Sequence, residues 1–254
     1  MVLETEPTVI SQTPGVHLDV FSTSERLLPI DMLKAPASVD DCLEIVVAWI
    51  EQTAGKSYFI GPLEEFQVRY GKVNPEDEFY QARMNYFLEH CVLERPMTGG
   101  AESGLAPVTR FFEGHGAITK NLEDGAATWM NFSGFRHGDF QVLNSGAEMM
   151  MVKDLITDRS FKIVPKANET LQYVSKKSIF QCFVFGNFDR KHLGQGLIVH
   201  PEGANPEILN FFKKYKKYPN VRPSEVLRNL ALTNMRFLRM QHVDPAVIYR
   251  NLSS

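Results

Sequence analysis

The sequence is poor in the residues and motifs that usually announce a chemistry. It has three cysteines, Cys42, Cys91 and Cys182, far apart and without a Cys-x-x-Cys pair or a histidine spacing of the zinc type. Each sits among apolar neighbours, which reads as a buried thiol in a reducing compartment, and no metal centre is expected. No run approaches the roughly 18 apolar residues of a membrane helix. The first residues carry Glu4 and Glu6 where a signal peptide has positive charge, with no apolar stretch behind them. The expectation is a cytoplasmic protein without membrane contact, in which the Asn-x-Ser/Thr triplets at Asn131, Asn168 and Asn251 carry no sugar. A Walker loop, a dinucleotide fingerprint and a Gly-x-Ser-x-Gly elbow are also missing, and Asn131-Phe-Ser-Gly134 does not substitute for the last. No cofactor is therefore expected, and the balance weighs against an enzyme.

What is present is ordinary in amount and uneven in distribution. Of 254 residues, 44% are apolar and 22% charged, enough for a real core in one large domain or two small ones. Eighteen Phe and ten Met make that core aromatic and adaptable, while a net charge of −3 argues against a protein that coats nucleic acid generally. Residues 205–254, however, hold nine Lys and Arg against three acids, a local +6, leaving −9 for the remainder. Such asymmetry fits either complementarity within the chain, the reading placed first, or a basic contact surface.

The patterning predicts an α+β fold in four stretches. Residues 1–34, rich in Thr, Ser, Glu and Pro, read as an extended arm. Residues 35–134 read as helical. Ser38 caps a central helix ended by Gly55, and a short helix from Pro62 is closed by Gly71. Asn74-Pro75-Glu-Asp-Glu78 opens another helix, running to Arg95-Pro96. Pro107 opens a short helix expected to stop at Gly114-His-Gly116, and a last one is expected from Asn121. Residues 135–201 switch to short β-branched and aromatic runs separated by turns. They predict five strands in a small antiparallel β-barrel or curled sheet, SH3-like or OB-like. Residues 202–254 return to helical spacing and are expected to join the rest in one compact unit.

Four sets of residues carry candidate chemistry. The run Phe211-Phe-Lys-Lys-Tyr-Lys-Lys-Tyr218 puts Lys213, Lys214, Lys216 and Lys217 beside aromatics, a pattern able to neutralise phosphates and stack on bases. The same lysines also complement the negative end of their own helix with no partner at all, the reading placed first. Residues 186–196 read as a hairpin tip offering Asp189, Arg190, Lys191 and His192, although its glycines precede no helix and so form no phosphate loop. His137 and Asp139 are two apart, and on a regular strand they share a face where a carboxylate can orient an imidazole; Arg136 adjoins them. His115 and His200 lack any metal-type spacing, and the cysteines look too buried to react.

The helix reaching Pro96, followed by Ser133-Gly-Phe-Arg-His-Gly-Asp-Phe-Gln-Val142 and Val152-Lys-Asp-Leu-Ile-Thr-Asp158, resembles a group of uncharacterised bacterial proteins, cyanobacterial ones among them. In that group a helical segment ending in an acid-Arg-Pro-like tripeptide precedes a compact β-unit with an Asp-Leu-x-Thr turn. The resemblance covers about half the chain and implies a fold only. Some relatives carry an added cysteine-rich metal motif that this chain lacks, so no metal role follows. Three functional readings result: a non-enzymatic binding or scaffolding protein, a protein partner included; a nucleic-acid-binding module using the C-terminal lysines; and an enzyme with its site at the barrel rim.

Overall fold

The structure is a computed structural model that describes residues 33, 36–97, 104–122, 124–146, 149–164, 174–186, 190–217, 221–250 and 252. Apart from Leu33, the arm expected over residues 1–34 lies outside them, as does Asp189. Helices at both ends of the chain enclose a five-stranded sheet. Helix α1 (Val39–Ala54) begins in a capping box: the Asp41 amide donates to Ser38 Oγ at 3.3 Å, and the Ser38 amide to Asp41 Oδ2 at 2.9 Å. Its buried Cys42, Val46, Trp49 and Ile50 make it the centre of the helical layer. Helix α2 (Ile60–Tyr70) ends at Gly71, whose φ of +93° and whose approach to Met235 Cγ, 2.5 Å from where a β-carbon would stand, both demand glycine.

Three boundaries differ from expectation. Helix α3 (Tyr80–Leu93) starts after Phe79 rather than at Pro75. Residues 74–79 form turns instead, because the Asp77 carboxylate takes the Asn74 amide at 2.7 Å and the Arg239 guanidinium at 2.6 and 2.7 Å. Helix α4 (Pro107–Lys120) runs straight through Gly114-His-Gly116, where His115 is buried and stacks on Phe111 with ring centres 4.5 Å apart. One turn of burial outweighs the two glycines. Asn121 is the C-cap of α4, and α5 (Ala126–Ser133) begins only after Gly125 at φ +96°.

The strands are β1 (Arg136–Ser145), β2 (Met150–Asp154), β3 (Ser160–Val164), β4 (Ile179–Phe185) and β5 (Arg190–Val199). They pair in the ring β1-β2-β3-β5-β4, each with two neighbours. The expectation of a wholly antiparallel unit is corrected at one seam, since β3 and β5 run parallel. A closed ring with an odd number of strands cannot alternate direction throughout, so one parallel pairing is forced. Phe140, Val142, Val152, Phe161, Ile163 and Leu193 are among the residues filling the interior. Strand β4 is buried on both faces: Cys182 and Val184 point into the barrel, while Phe183 and Phe185 join the helical core. After the barrel, α6 (Asn205–Lys217), α7 (Pro223–Arg239) and α8 (Pro245–Arg250) follow, with α6 and α8 packing over Leu155 and Ile179. No helix among the described residues is long and apolar enough to cross a membrane.

The segment read as a hairpin tip over residues 186–196 is mostly strand, because β5 already begins at Arg190. Its glycines serve a close approach. Gly194, Gln195 and Gly196 stand opposite Phe183 alone, a bulge in the β4–β5 ladder. Helix α3 lies directly over it, and a β-carbon on Gly196 would run into the backbone of Tyr86. Gly196→Ala is therefore expected to destabilise the fold by about 3 kcal/mol or more, since overpacking here meets backbone rather than a movable side chain. Urea unfolding monitored by circular dichroism measures it.

Candidate functional site

Strand β1 alternates in the regular way, so His137 and Asp139 do share a face, the one turned toward the helices. They do not pair with each other. His137 Nδ1 lies 2.8 Å from Glu94 Oε2, and its Nε2 lies 2.6 Å from the Tyr86 hydroxyl. Gln181 Nε2, which can only donate, reaches that hydroxyl at 2.7 Å. The Tyr86 hydroxyl thus accepts from Gln181 and is hydrogen-bonded to His137 Nε2, while His137 Nδ1 faces Glu94. The ring also stacks on Phe183 with centres 4.2 Å apart. His90 Nδ1 meets the same Glu94 oxygen at 3.3 Å.

Asp139 belongs to a second network. Its Oδ1 lies 3.2 Å from His200 Nε2, with both side chains fully buried. His200 Nδ1 meets the Tyr249 hydroxyl at 2.9 Å. Asn234, beside Tyr249, donates to the Val199 carbonyl at 2.8 Å and accepts from the buried Arg83. These contacts tie β1, the end of β5, α3, α7 and α8 together. Between the networks Glu89, also buried, accepts from the Gln195 and Gly196 amides at 2.6 and 3.2 Å.

The electrostatics follow from this burial. Burial raises the Glu94 carboxyl, but the charge and hydrogen bond of His137, helped by His90, more than offset it and hold the group down at about 2. Burial pushes Asp139 up, and the bond from His200 offsets only part of that. Arg83 is lowered to about 10 by desolvation, and Tyr86 is raised well above its ordinary value for the same reason. The thiols of Cys42, Cys91 and Cys182 are all raised by burial, so they stay protonated and inert.

The remaining candidates are not gathered in one place. Arg136 Nη1 bonds Asp154 Oδ2 at 3.0 Å, and Asp154 Oδ1 accepts the Ile156 and Thr157 amides at 2.8 and 3.1 Å, so Arg136 braces the β2–β3 turn. Lys191 closes one mouth of the barrel, its ammonium on the Gly186 carbonyl and 5.4 Å from the centre of the Phe161 ring. Burial lowers its pKa. Arg190 and His192 stand in register with Lys162 and Val164 across the parallel seam. A surface groove of about 360 Å³ between α4 and the start of β1 is lined by Val108, Thr109, Phe112, Glu113, Ser133 and Phe135, away from both networks. Among the described residues no group of His, Cys, Asp and Glu has the arrangement to hold a metal ion.

One surface does draw candidates together. Lys213, Lys214, Lys216 and Lys217 are exposed at the end of α6. Lys216 reaches Asp158 Oδ2 at 2.7 Å, and Lys153 reaches Asp158 Oδ1 at 2.7 Å. The two ammonium groups hold the Asp158 carboxyl below its usual range. This clamp joins the α6 lysines to the β2–β3 face, where Arg159, Ser160 and Lys162 are exposed. Tyr215, expected as a stacking residue, packs instead against Phe212 in the core under α6. Glu94, Tyr86, Gln181, Asn234 and Tyr249 escaped the sequence reading, since nothing local marks a side chain whose partner is far away along the chain. The Gly194-x-Gly196 spacing was the usable signal, because glycines inside a strand mark close approach as well as turns.

Because folding lowers the Glu94 carboxyl from 4.5 to about 2, its contribution to stability is complete above pH 4.5 and is lost as the pH falls toward 2. Glu65, Asp77 and Asp158 are lowered too and lose stability in the same direction. The expected result is a smaller acid-induced loss in Glu94→Gln than in the parent, together with a lower stability near neutrality. Denaturant unfolding of both proteins at neutral and acid pH measures the difference. Set against protein-family models, curated proteins and solved structures, the chain has no match.

Proposed function

We propose that the protein is a non-enzymatic binding protein whose working surface is the side of its barrel that no described helix covers, and that its partner is a nucleic acid. The observation that carries this reading is the Asp158 clamp, which fuses the α6 lysines and the β2–β3 face into one cationic surface. The ring order, with its parallel β3–β5 pairing, favours the OB-type barrel over the SH3-type one. OB-type barrels bind oligonucleotides and oligosaccharides on their β2–β3 face, a likeness that counts as analogy. Free buried thiols accord with a reducing, cytoplasmic setting. The resemblance to uncharacterised bacterial proteins adds no activity.

The enzyme reading loses its support where it was strongest. His137 and Asp139 are sealed beneath the helices, where both ring nitrogens of His137 and the Oδ1 of Asp139 are engaged in holding the layers together. A general acid or base has to reach the proton it moves, and a side chain buried beneath packed helices is kept from it. Glu113, the titratable residue of the surface groove, is paired with Arg110 at 2.9 Å.

Fluorescence anisotropy with labelled DNA and RNA tests the reading. Binding is expected at about 50 mM salt and is expected to weaken at least tenfold on changing Lys213, Lys214 and Lys217 together to Ala. His137→Ala and Asp139→Asn are expected to lower stability while leaving the affinity of the folded protein unchanged. Absence of binding at low salt overturns the proposal, as does affinity indifferent to the lysines.

A further inference from the structure

Resting on that reading, we infer that the cationic surface takes double-stranded nucleic acid, through its phosphates and without reading sequence. The inference begins with what stands beside the charges. Single strands are held by positive grooves that also offer aromatic rings on which unstacked bases settle. Leu143 near the end of β1 is exposed, and among the described residues no Phe, Tyr or Trp side chain is. Met151 and Lys162, a cross-strand pair, supply the middle of the face. Phe161, the aromatic of β3, points into the barrel; Phe212 of α6 is buried in the core, and Phe211 and Tyr215 are half-buried against it. Among the described residues the surface offers charge without an exposed aromatic ring.

The charges form two rows. Arg159 and Lys162 lie on the barrel side. Lys213, Lys216 and Lys217 follow one another on α6 at spacings of three and four, hence on one helical face, with Lys214 farther round. Between the rows stands Asp158, which fixes Lys153 and Lys216 in place. A rigid pair of cationic rows suits the rigid, doubly charged contour of a duplex better than a flexible strand. Asp158 itself opposes binding, as the negative charge at the centre of the surface and the group that occupies two lysines.

Asp158 makes a clean test. Its φ is +62°, a left-handed conformation that asparagine also adopts readily, so Asp158→Asn keeps the turn while removing the charge. Anisotropy titrations with a DNA duplex and with each of its separate strands, across a salt series, are the measurement. Expected for the duplex is a log–log salt slope of roughly −3 to −4, from about four neutralised phosphates, so affinity falls about a hundredfold between about 50 and 200 mM salt. The separate strands are expected to bind at least tenfold more weakly, two duplexes of unrelated sequence equally well, and Asp158→Asn several-fold more tightly with a steeper slope. Single strands binding as tightly as the duplex would overturn this inference and leave the nucleic-acid reading intact. So would a folded Asp158→Asn that binds no better, or a strong preference between the two duplexes. No binding to any probe overturns both.

Discussion

The meeting of α3 with the bulge of β5 is the contact on which the other layers depend. Opening three residues of β5 opposite one of β4 strips two backbone amides of their ladder acceptors, and a buried amide without an acceptor is costly. Glu89 supplies the acceptor from outside the sheet, with one carboxylate oxygen taking both amides. The carboxylate gets close enough because Gly194 and Gly196 have no side chains to keep the helix away. With α3 seated there, Tyr86 and Arg83 are delivered one helical turn apart to the two polar networks, and Glu94 at the end of the helix is delivered to His137.

Those networks explain why the most suggestive residues of the chain are structural. A helix laid on a barrel covers polar as well as apolar groups, and each covered polar group needs a partner. His137 is held by Glu94, Tyr86 and Gln181, and His200 by Asp139 and Tyr249, and these contacts fix the angle at which helices meet strands. Chemistry sealed in this way leaves recognition to the surface that no described helix covers.

What could be read in advance was what is decided locally. The start of α1 was legible because Ser38 and Asp41 form their capping box within one turn, and the strands were legible from β-branched and aromatic runs such as Ile179–Phe185. The shared face of His137 and Asp139 was legible because side chains alternate along a regular strand. Boundaries decided at a distance were not. The turn at residues 74–79 looks like a helix start until Arg239, 162 residues away, takes hold of Asp77. The Gly194 and Gly196 pair looks like a hairpin tip until α3 is placed above it. The lysines of α6 were legible as charge, but their alignment with the barrel required Asp158, a turn residue whose role exists only once the chain is folded.

The odd number of strands has a mechanical side. Among the described residues the parallel seam required to close the ring joins β3 to β5 through three residue pairs, fewer than any other pairing in the barrel. It lies at the edge of the face that no described helix covers, while β4 and β5 are pressed against the helices. The barrel is thus fastened firmly along one side and lightly along the other, like a cuff with its button on the outside. A partner lying across β2 and β3 would come to rest beside the most sparsely paired of these seams, where a small parting of two strands can adjust the surface without disturbing the core beneath α3.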